Sequence, residues 1–77
     1  METVWCKAVA QHGMTVRYEV FSDGGDYGLR IVCGGDVVEI PALTTEKESL
    51  LALADAMARG FVTPVTARDV AEDWLLS

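Results

Sequence analysis

The spacing of the apolar residues changes once along this chain, close to Pro41. Before that residue they fall at every second position, the period of a β-strand; after it they recur three and four residues apart, the period of an amphipathic helix. A β region followed by a helical region predicts the α+β class. With 77 residues, the chain is expected to form a single domain, residues 1–77, with a compact core.

The first 40 residues predict an antiparallel β-meander of three or four strands. Residues 3–10 alternate, and the runs YGLRIVC and VVEI follow later in this region. Gly-Gly-Asp occurs twice, at 24–26 and 34–36, and paired glycines tolerate the positive φ angles of tight turns, so each is predicted to close a hairpin. The clearest alternation is in MTVRYEVF, with one side formed by Met14, Val16, Tyr18 and Val20.

Two helices are predicted after Pro41, both packed on one face of the sheet. The first spans about Glu46–Arg59, with a capping box formed by Thr45 and Glu48 and a stop signal at Gly60. The second begins at Thr63-Pro64, because proline suits the first helical position and threonine the cap before it. The apolar residues expected to meet in the core are Leu50, Leu53, Met57, Val70 and Trp74 from the helices and Val16, Tyr18, Leu29 and Ile31 from the strands.

No segment of the sequence is a candidate membrane anchor. The apolar runs are only a few residues long, whereas spanning a bilayer takes about 20. The N-terminal stretch METVWCKAVAQHG lacks the cationic start and unbroken apolar region of a secretory signal, so we expect a cytoplasmic protein with no membrane partner. In a reducing compartment Cys6 and Cys33 are expected to be small core residues, and a disulfide between them requires neighbouring strands.

The residues that could carry catalysis or bind a metal do not form a recognised pattern. Both Gly-Gly pairs lie between predicted strands and no lysine follows them, whereas a phosphate loop leads into a helix. The acids near the turns lack the spacing of a calcium loop, and Cys6, Cys33 and His12 are one ligand short of a structural zinc site. We therefore expect no enzyme activity, no cofactor and no metal.

The charge distribution points instead to a protein partner. Twelve acids oppose six bases, and the resulting net charge of −6 disfavours direct binding to nucleic acid. The acids gather at the turns and along the second helix, where those near its end oppose the helix dipole. This distribution suits docking onto a basic protein surface, and ordinary solubility charge is the alternative explanation. The predicted partner-binding acids are Asp69, Glu72, Asp73, Asp23, Asp26 and Asp36.

Trp5 is a further candidate for partner binding. It lies out of phase with Val4, Cys6 and Ala8, so the first strand carries an indole on the opposite face. Packing of the indole at the sheet edge is one interpretation, and an exposed tryptophan at an interface is the other. The alternation alone does not decide between them.

The C-terminal half contains two motifs that occur together in a small bacterial family of unknown function. The first is the strand motif Tyr27-Gly28, and the second is a closing helix of the form Pro-x-x-x-Arg-Asp-Val-x-x-Asp followed by an aromatic residue and leucine. Over residues 18–75 the chain resembles this family, which implies the order of its elements and no particular chemistry. The matching helix positions are Pro64, Arg68, Asp69, Val70, Asp73, Trp74 and Leu75.

These features predict a non-enzymatic, acidic protein that acts as a protein-binding regulator or inhibitor. The concrete form is a protein borne by a phage or mobile element that masks a basic nucleic-acid-binding surface of a target complex, as some anti-CRISPR proteins do. The small size and the net charge of −6 motivate it. The alternative is a structural or housekeeping accessory domain that forms a homodimer through an open sheet edge or the Trp5 face.

Overall fold

A computed structural model describes residues 1–76 and shows a four-stranded antiparallel sheet followed by two helices. The strands lie in the order β1-β2-β3-β4, so every strand pairs with its neighbour in sequence. This arrangement confirms the predicted α+β class and the meander. The elements are β1 Glu2–Gln11, β2 Met14–Asp23, β3 Asp26–Cys33, β4 Asp36–Thr44, α1 Lys47–Arg59 and α2 Pro64–Leu76.

Two-residue turns join the strands. The β1–β2 turn is His12-Gly13, with φ angles of 52° and 75°, and the β2–β3 turn is Gly24-Gly25, with φ angles of 62° and 99°. Gly34-Gly35 closes the third hairpin, with a φ of 60° at Gly34. Both Gly-Gly-Asp stretches are therefore hairpin turns, as predicted, and the aspartate of each begins the next strand.

The core lies between the helices and one face of the sheet, which we call the inner face. Val16, Tyr18 and Val20 of β2 are fully buried there, opposite Leu29 and Ile31 of β3. The predicted core residues of α1 are buried against them, and those of α2, Val70 and Trp74, are half-buried. The alternation in β2 thus identified the inner face correctly. The buried helix residues are Leu50, Leu53, Ala54, Met57, Ala58, Ala67 and Ala71.

The two faces of β1 are the reverse of what its cysteine suggested. Trp5, Lys7 and Val9 pair with the inner-face residues of β2, after a register shift between Thr3 and Trp5. Cys6 consequently lies on the outer face and is exposed, so the prediction that it is a core residue is wrong. Cys33 is half-buried and, like Cys6, a free thiol. Because β2 separates β1 from β3, the neighbouring strands that a disulfide requires are absent.

Helix α1 begins differently from the predicted capping box. The N-cap is Glu46 rather than Thr45, and its side chain makes no capping bond. The hydroxyl of Thr44 accepts a bond from the Glu46 N–H at 3.0 Å, and the Ser49 hydroxyl donates to Glu46 Oε2 at 3.2 Å. These bonds form a local turn that stabilises the start of α1. Glu48 in the first turn stabilises it further, because its negative charge interacts favourably with the helix dipole.

Helix α1 ends at the predicted stop, although the left-handed residue is not the glycine. Gly60 has a φ of −88°, and Phe61 has a φ of 52°. The Phe61 N–H donates to the Ala58 carbonyl at 3.2 Å and the Val62 N–H to the Met57 carbonyl at 3.0 Å, the two bonds of a Schellman motif. Phe61 packs against the core, which holds it in this conformation.

One large aromatic residue is buried on the outer face, away from the helices. Phe21 is 3% exposed and pairs across the sheet with Gly28. A Cβ at position 28 would lie 2.5 Å from Phe21 Cζ and 2.7 Å from the Ile40 carbonyl oxygen. Only glycine leaves room for the ring here, which gives the Tyr-Gly motif of β3 a structural reason.

Candidate protein-binding surface

Three of the predicted partner-binding acids share the solvent-facing side of α2. Asp69, Glu72 and Asp73 are exposed, because Ala67 and Ala71 turn the opposite side of the helix toward the sheet. No ion pair within residues 1–76 involves any of the three. We call this set, Asp69, Glu72 and Asp73, the α2 acid trio.

The aspartates at the hairpins divide into two groups. Asp23 and Asp26 face each other across the β2–β3 turn. Asp36 pairs with Cys33, at the other end of β3, and the eight residues of that strand span about 23 Å at 3.3 Å per residue. The structure therefore brings Asp23 and Asp26 together and places Asp36 at the opposite end of the sheet.

Most of the basic side chains are already paired with other acids. Lys7 Nζ lies 3.5 Å from Asp55 and Arg59 Nε 3.2 Å from the same carboxylate. On the outer face Glu19 lies 3.8 Å from each of two arginines, one of which approaches Glu39 at 4.0 Å. None of these acids belongs to the predicted set. The two arginines are Arg17 and Arg30.

This pairing determines where the excess negative charge of the protein lies. The central outer face balances its own charges, whereas the α2 acid trio and the hairpin aspartates have no paired base among the residues that the structure describes. The net charge of −6 is thus concentrated on α2, the start of α1 and the turns. Exposed, unpaired carboxylates attract a cationic surface more strongly than paired ones do.

Trp5 lies on the inner face of the edge strand β1. It is half-buried and packs against the core, opposite Val20 of β2. The indole therefore packs at the sheet edge, which is one of the two interpretations of the sequence. Part of it remains accessible there. A contact of Trp5 with a partner stays a prediction.

The phenol of Tyr18 has a shifted pKa, and its hydroxyl makes a hydrogen bond that stabilises the fold. Its hydroxyl donates to the Val62 carbonyl at 2.7 Å, which ties β2 to the connection between α1 and α2. Burial raises the pKa of the Tyr18 phenol above its ordinary value, and electrostatic repulsion from the side chain of nearby Cys33 raises it further. The phenol lies beneath the helices rather than in an accessible cleft, because its residue is fully buried.

The described part of the chain, residues 1–76, contains no pocket and no cluster of His, Cys, Asp and Glu that could hold a metal ion. His12 is exposed in the β1–β2 turn. Neither helix is long and apolar enough to cross a membrane.

Over residues 2–77 the chain matches a family described as a family of unknown function, DUF6514. The protein belongs to this family. No curated protein and no solved structure matches it. The DUF6514 match includes β1, which lies outside the region 18–75 that carried the resemblance in sequence.

Sequence reasoning missed the outer-face packing of this DUF6514 protein. The burial of Phe21 depends on the space above Gly28, and that pairing is known only once the register of β2 and β3 is known. The available signal was a glycine inside a strand, which indicates a bulge or a close approach of another group. Gly28 has both, because the pairing of β3 with β4 shifts between Tyr27 and Leu29.

Proposed function

We propose that this DUF6514 protein is a non-enzymatic regulator or inhibitor that binds a partner protein through the α2 acid trio. The observation that carries the proposal is that Asp69, Glu72 and Asp73 are exposed together on one helix and share no ion pair within residues 1–76. The partner is expected to present a basic surface, and in the most specific form that surface binds nucleic acid.

The position of the trio on α2 strengthens its negative field. Glu72 and Asp73 lie near the C-terminal end of the helix, which itself carries about half a negative charge. No basic residue lies in the last turn to offset them. The arrangement costs helix stability and increases attraction to a cationic surface, so it is better explained by binding than by folding.

A basic nucleic-acid-binding surface is the partner that this chemistry suits best. Such surfaces carry lysine and arginine spaced to neutralise phosphates, and carboxylates on a rigid helix can occupy those positions. Helix α2 packs against β3 and β4, so the backbone that carries these carboxylates is held in place relative to the sheet. Binding of this kind competes with nucleic acid and weakens as salt rises.

The proposal is tested by affinity capture from lysate of the source cell, followed by competition. The wild type is expected to retain a basic nucleic-acid-binding protein at low salt, and added nucleic acid or high salt should release it. The triple variant Asp69→Lys, Glu72→Lys, Asp73→Lys should retain none of it.

The matched control reverses three other exposed acids, Glu2, Glu46 and Glu48, and so makes the same change in net charge. Circular dichroism should show that both variants are folded. Capture by the control but not by the trio variant supports the proposal. Equal capture by all three proteins would refute it, and equal loss in both variants would show that overall charge, not α2, is responsible.

A further inference from the structure

The free edge of β1 can pair with another strand more readily than the free edge of β4, on the opposite side of the sheet. β1 is regular from Trp5 to Gln11, without proline or a register shift in that segment. In β4, Pro41 has no N–H to donate, and Ala42 has a φ of 53° where the register shifts. The sheet thus has one open edge and one interrupted edge.

The hairpin turn determines which backbone groups of β1 point outward. A two-residue turn is closed by a hydrogen-bonded pair, here Gln11 and Met14, and bonded positions alternate along an antiparallel strand. The N–H and C=O groups of Val9 and Lys7 therefore bond to β2. Those of Cys6, Ala8 and Ala10 point to the free edge. All three side chains are small and exposed, so none of them shields the edge.

We propose that the free edge of β1 pairs antiparallel with the same edge of a second copy of this chain, with the twofold axis at Ala8. The regular segment Trp5–Gln11 is centred on Ala8, so this register gives full overlap. Ala8 then lies opposite its own copy, and Cys6 lies opposite Ala10. Pairing at these positions forms about six hydrogen bonds between the chains.

The charges of β1 favour a second copy as the occupant. Residues 3–18 contain no acid, whereas the chain as a whole carries a net charge of −6. In the proposed register Lys7 lies opposite Val9 of the second copy, so the two lysines do not face each other. Lys7 is also compensated within its own chain by Asp55 at 3.5 Å. The β1 edge is therefore a place where two acidic molecules can meet without direct repulsion.

The interrupted β4 edge limits the assembly. Pairing of β1 with β1 is isologous and consumes the open edge of both copies, so it closes as a dimer with an eight-stranded sheet. Growth through β4 is opposed by Pro41 and by the acids Asp36 and Glu39 on that strand. The dimer uses a surface other than the α2 acid trio, so this inference does not depend on the proposed function.

The first test is the mass in solution over a range of protein concentration, measured by sedimentation equilibrium. The wild type should shift from 8.3 kDa toward twice that mass as concentration rises. Ala8→Glu and Ala8→Lys should each remain monomeric, because either places like charges directly opposite each other. An equal mixture of the two variants should recover the dimer, since opposite charges then meet. Val37→Glu, an exposed outer-face position on β4, is the matched control and should behave as the wild type does.

The second test needs no variant and reads the pairing residue by residue. Amide hydrogen exchange at Cys6, Ala8 and Ala10 should slow as the concentration rises. Exchange at Val37 and Glu39, whose N–H groups point to the free edge of β4, should not change. A wild type that stays at 8.3 kDa throughout, a dimer that Ala8→Glu and Ala8→Lys leave intact, or protection of β4 instead of β1 would each overturn the proposal.

Discussion

At the scale of single residues, the Tyr18 hydroxyl makes a bond that links the sheet to the helical layer. It donates to the Val62 carbonyl at 2.7 Å from a fully buried position. Tyr18→Phe removes the donor and leaves that carbonyl unpaired, so we expect a loss of about 1–2 kcal/mol in the free energy of unfolding. Urea denaturation measures it. Tyr27→Phe is the control, because that half-buried hydroxyl has no hydrogen bond among residues 1–76, and an equal loss there would contradict the assignment.

The same phenol makes the stability of the protein depend on alkaline pH. The pKa of Tyr18 in the folded state is raised, chiefly by burial, above the ordinary value of about 10. The unfolded chain therefore loses this proton at lower pH than the folded one. The contribution of the protonated Tyr18 phenol to the free energy of unfolding is complete below about pH 10. It is lost as the pH rises from there through the pKa of Tyr18 in the folded state. The difference in unfolding free energy between wild type and Tyr18→Phe should be constant up to about pH 9 and shrink above about pH 10; a constant difference to pH 11 would contradict this cause.

Gly28 is a second residue whose replacement has a specific physical cost. A methyl group there would lie 2.5 Å from Phe21 Cζ and 2.7 Å from a carbonyl oxygen that cannot move freely. Gly28→Ala should destabilise the fold by about 1–3 kcal/mol through overpacking. Gly35→Ala is the matched control, since nothing lies within 4 Å and no positive φ is needed. In a Phe21→Ala background the cost of Gly28→Ala should fall. Thermal unfolding of the wild type, the two single variants and the double variant measures that coupling.

At the scale of secondary-structure elements, α2 carries acids where its dipole disfavours them. Replacing Glu72 or Asp73 by lysine removes that conflict, so each change should stabilise the protein by about 0.3–1 kcal/mol at low salt. Asp69→Lys lies mid-helix and should have little effect on stability. Thermal unfolding at low salt measures the difference. Destabilisation by Glu72→Lys and Asp73→Lys would show that these carboxylates make contacts that stabilise the fold.

The order and type of the elements were predictable because their periods are distinct. The prediction of Glu46–Arg59 for the first helix differs by one residue from the observed Lys47–Arg59. The predicted capping box is wrong because the hydroxyl that accepts a bond at the start of α1 belongs to Thr44 and not to Thr45. Which of the two threonines takes this position depends on how β4 ends. The prediction that Cys6 lies on the buried face of β1 is wrong for a different reason. Both faces of β1 carry apolar residues, so alternation alone cannot say which one meets the helices.

At the scale of the whole molecule, the sequence predicts exposure of the acids but not their grouping. Aspartates beside glycine turns and acids on the polar side of α2 are expected to face water, and five of the six are exposed while Asp26 is half-buried. Their separation follows from the meander, which alternates the ends at which the turns lie and so sends Asp36 away from Asp23. The partner-binding role of the set stays a prediction, because burial and register describe a surface and not what binds it.

The whole-molecule charge predicts a dependence of stability on salt. Only three of the twelve acids, Glu19, Glu39 and Asp55, join ion pairs within the described chain, so repulsion among the others opposes the compact state. Raising NaCl from about 0.01 M to about 0.15 M shortens the screening length from about 30 Å to about 8 Å, and the free energy of unfolding should rise.

The trio variant Asp69→Lys, Glu72→Lys, Asp73→Lys separates this effect from other effects of salt. Each replacement adds two charges, so the three take the net charge from −6 to zero. Urea denaturation at the two salt concentrations should then show little change for the variant and a clear gain for the wild type. An equal gain in both would mean that salt acts on apolar burial instead of on repulsion. Loss of the gain in the variant would show that the unpaired acids of α2, which the proposed function assigns to a partner, reduce the stability of the free protein.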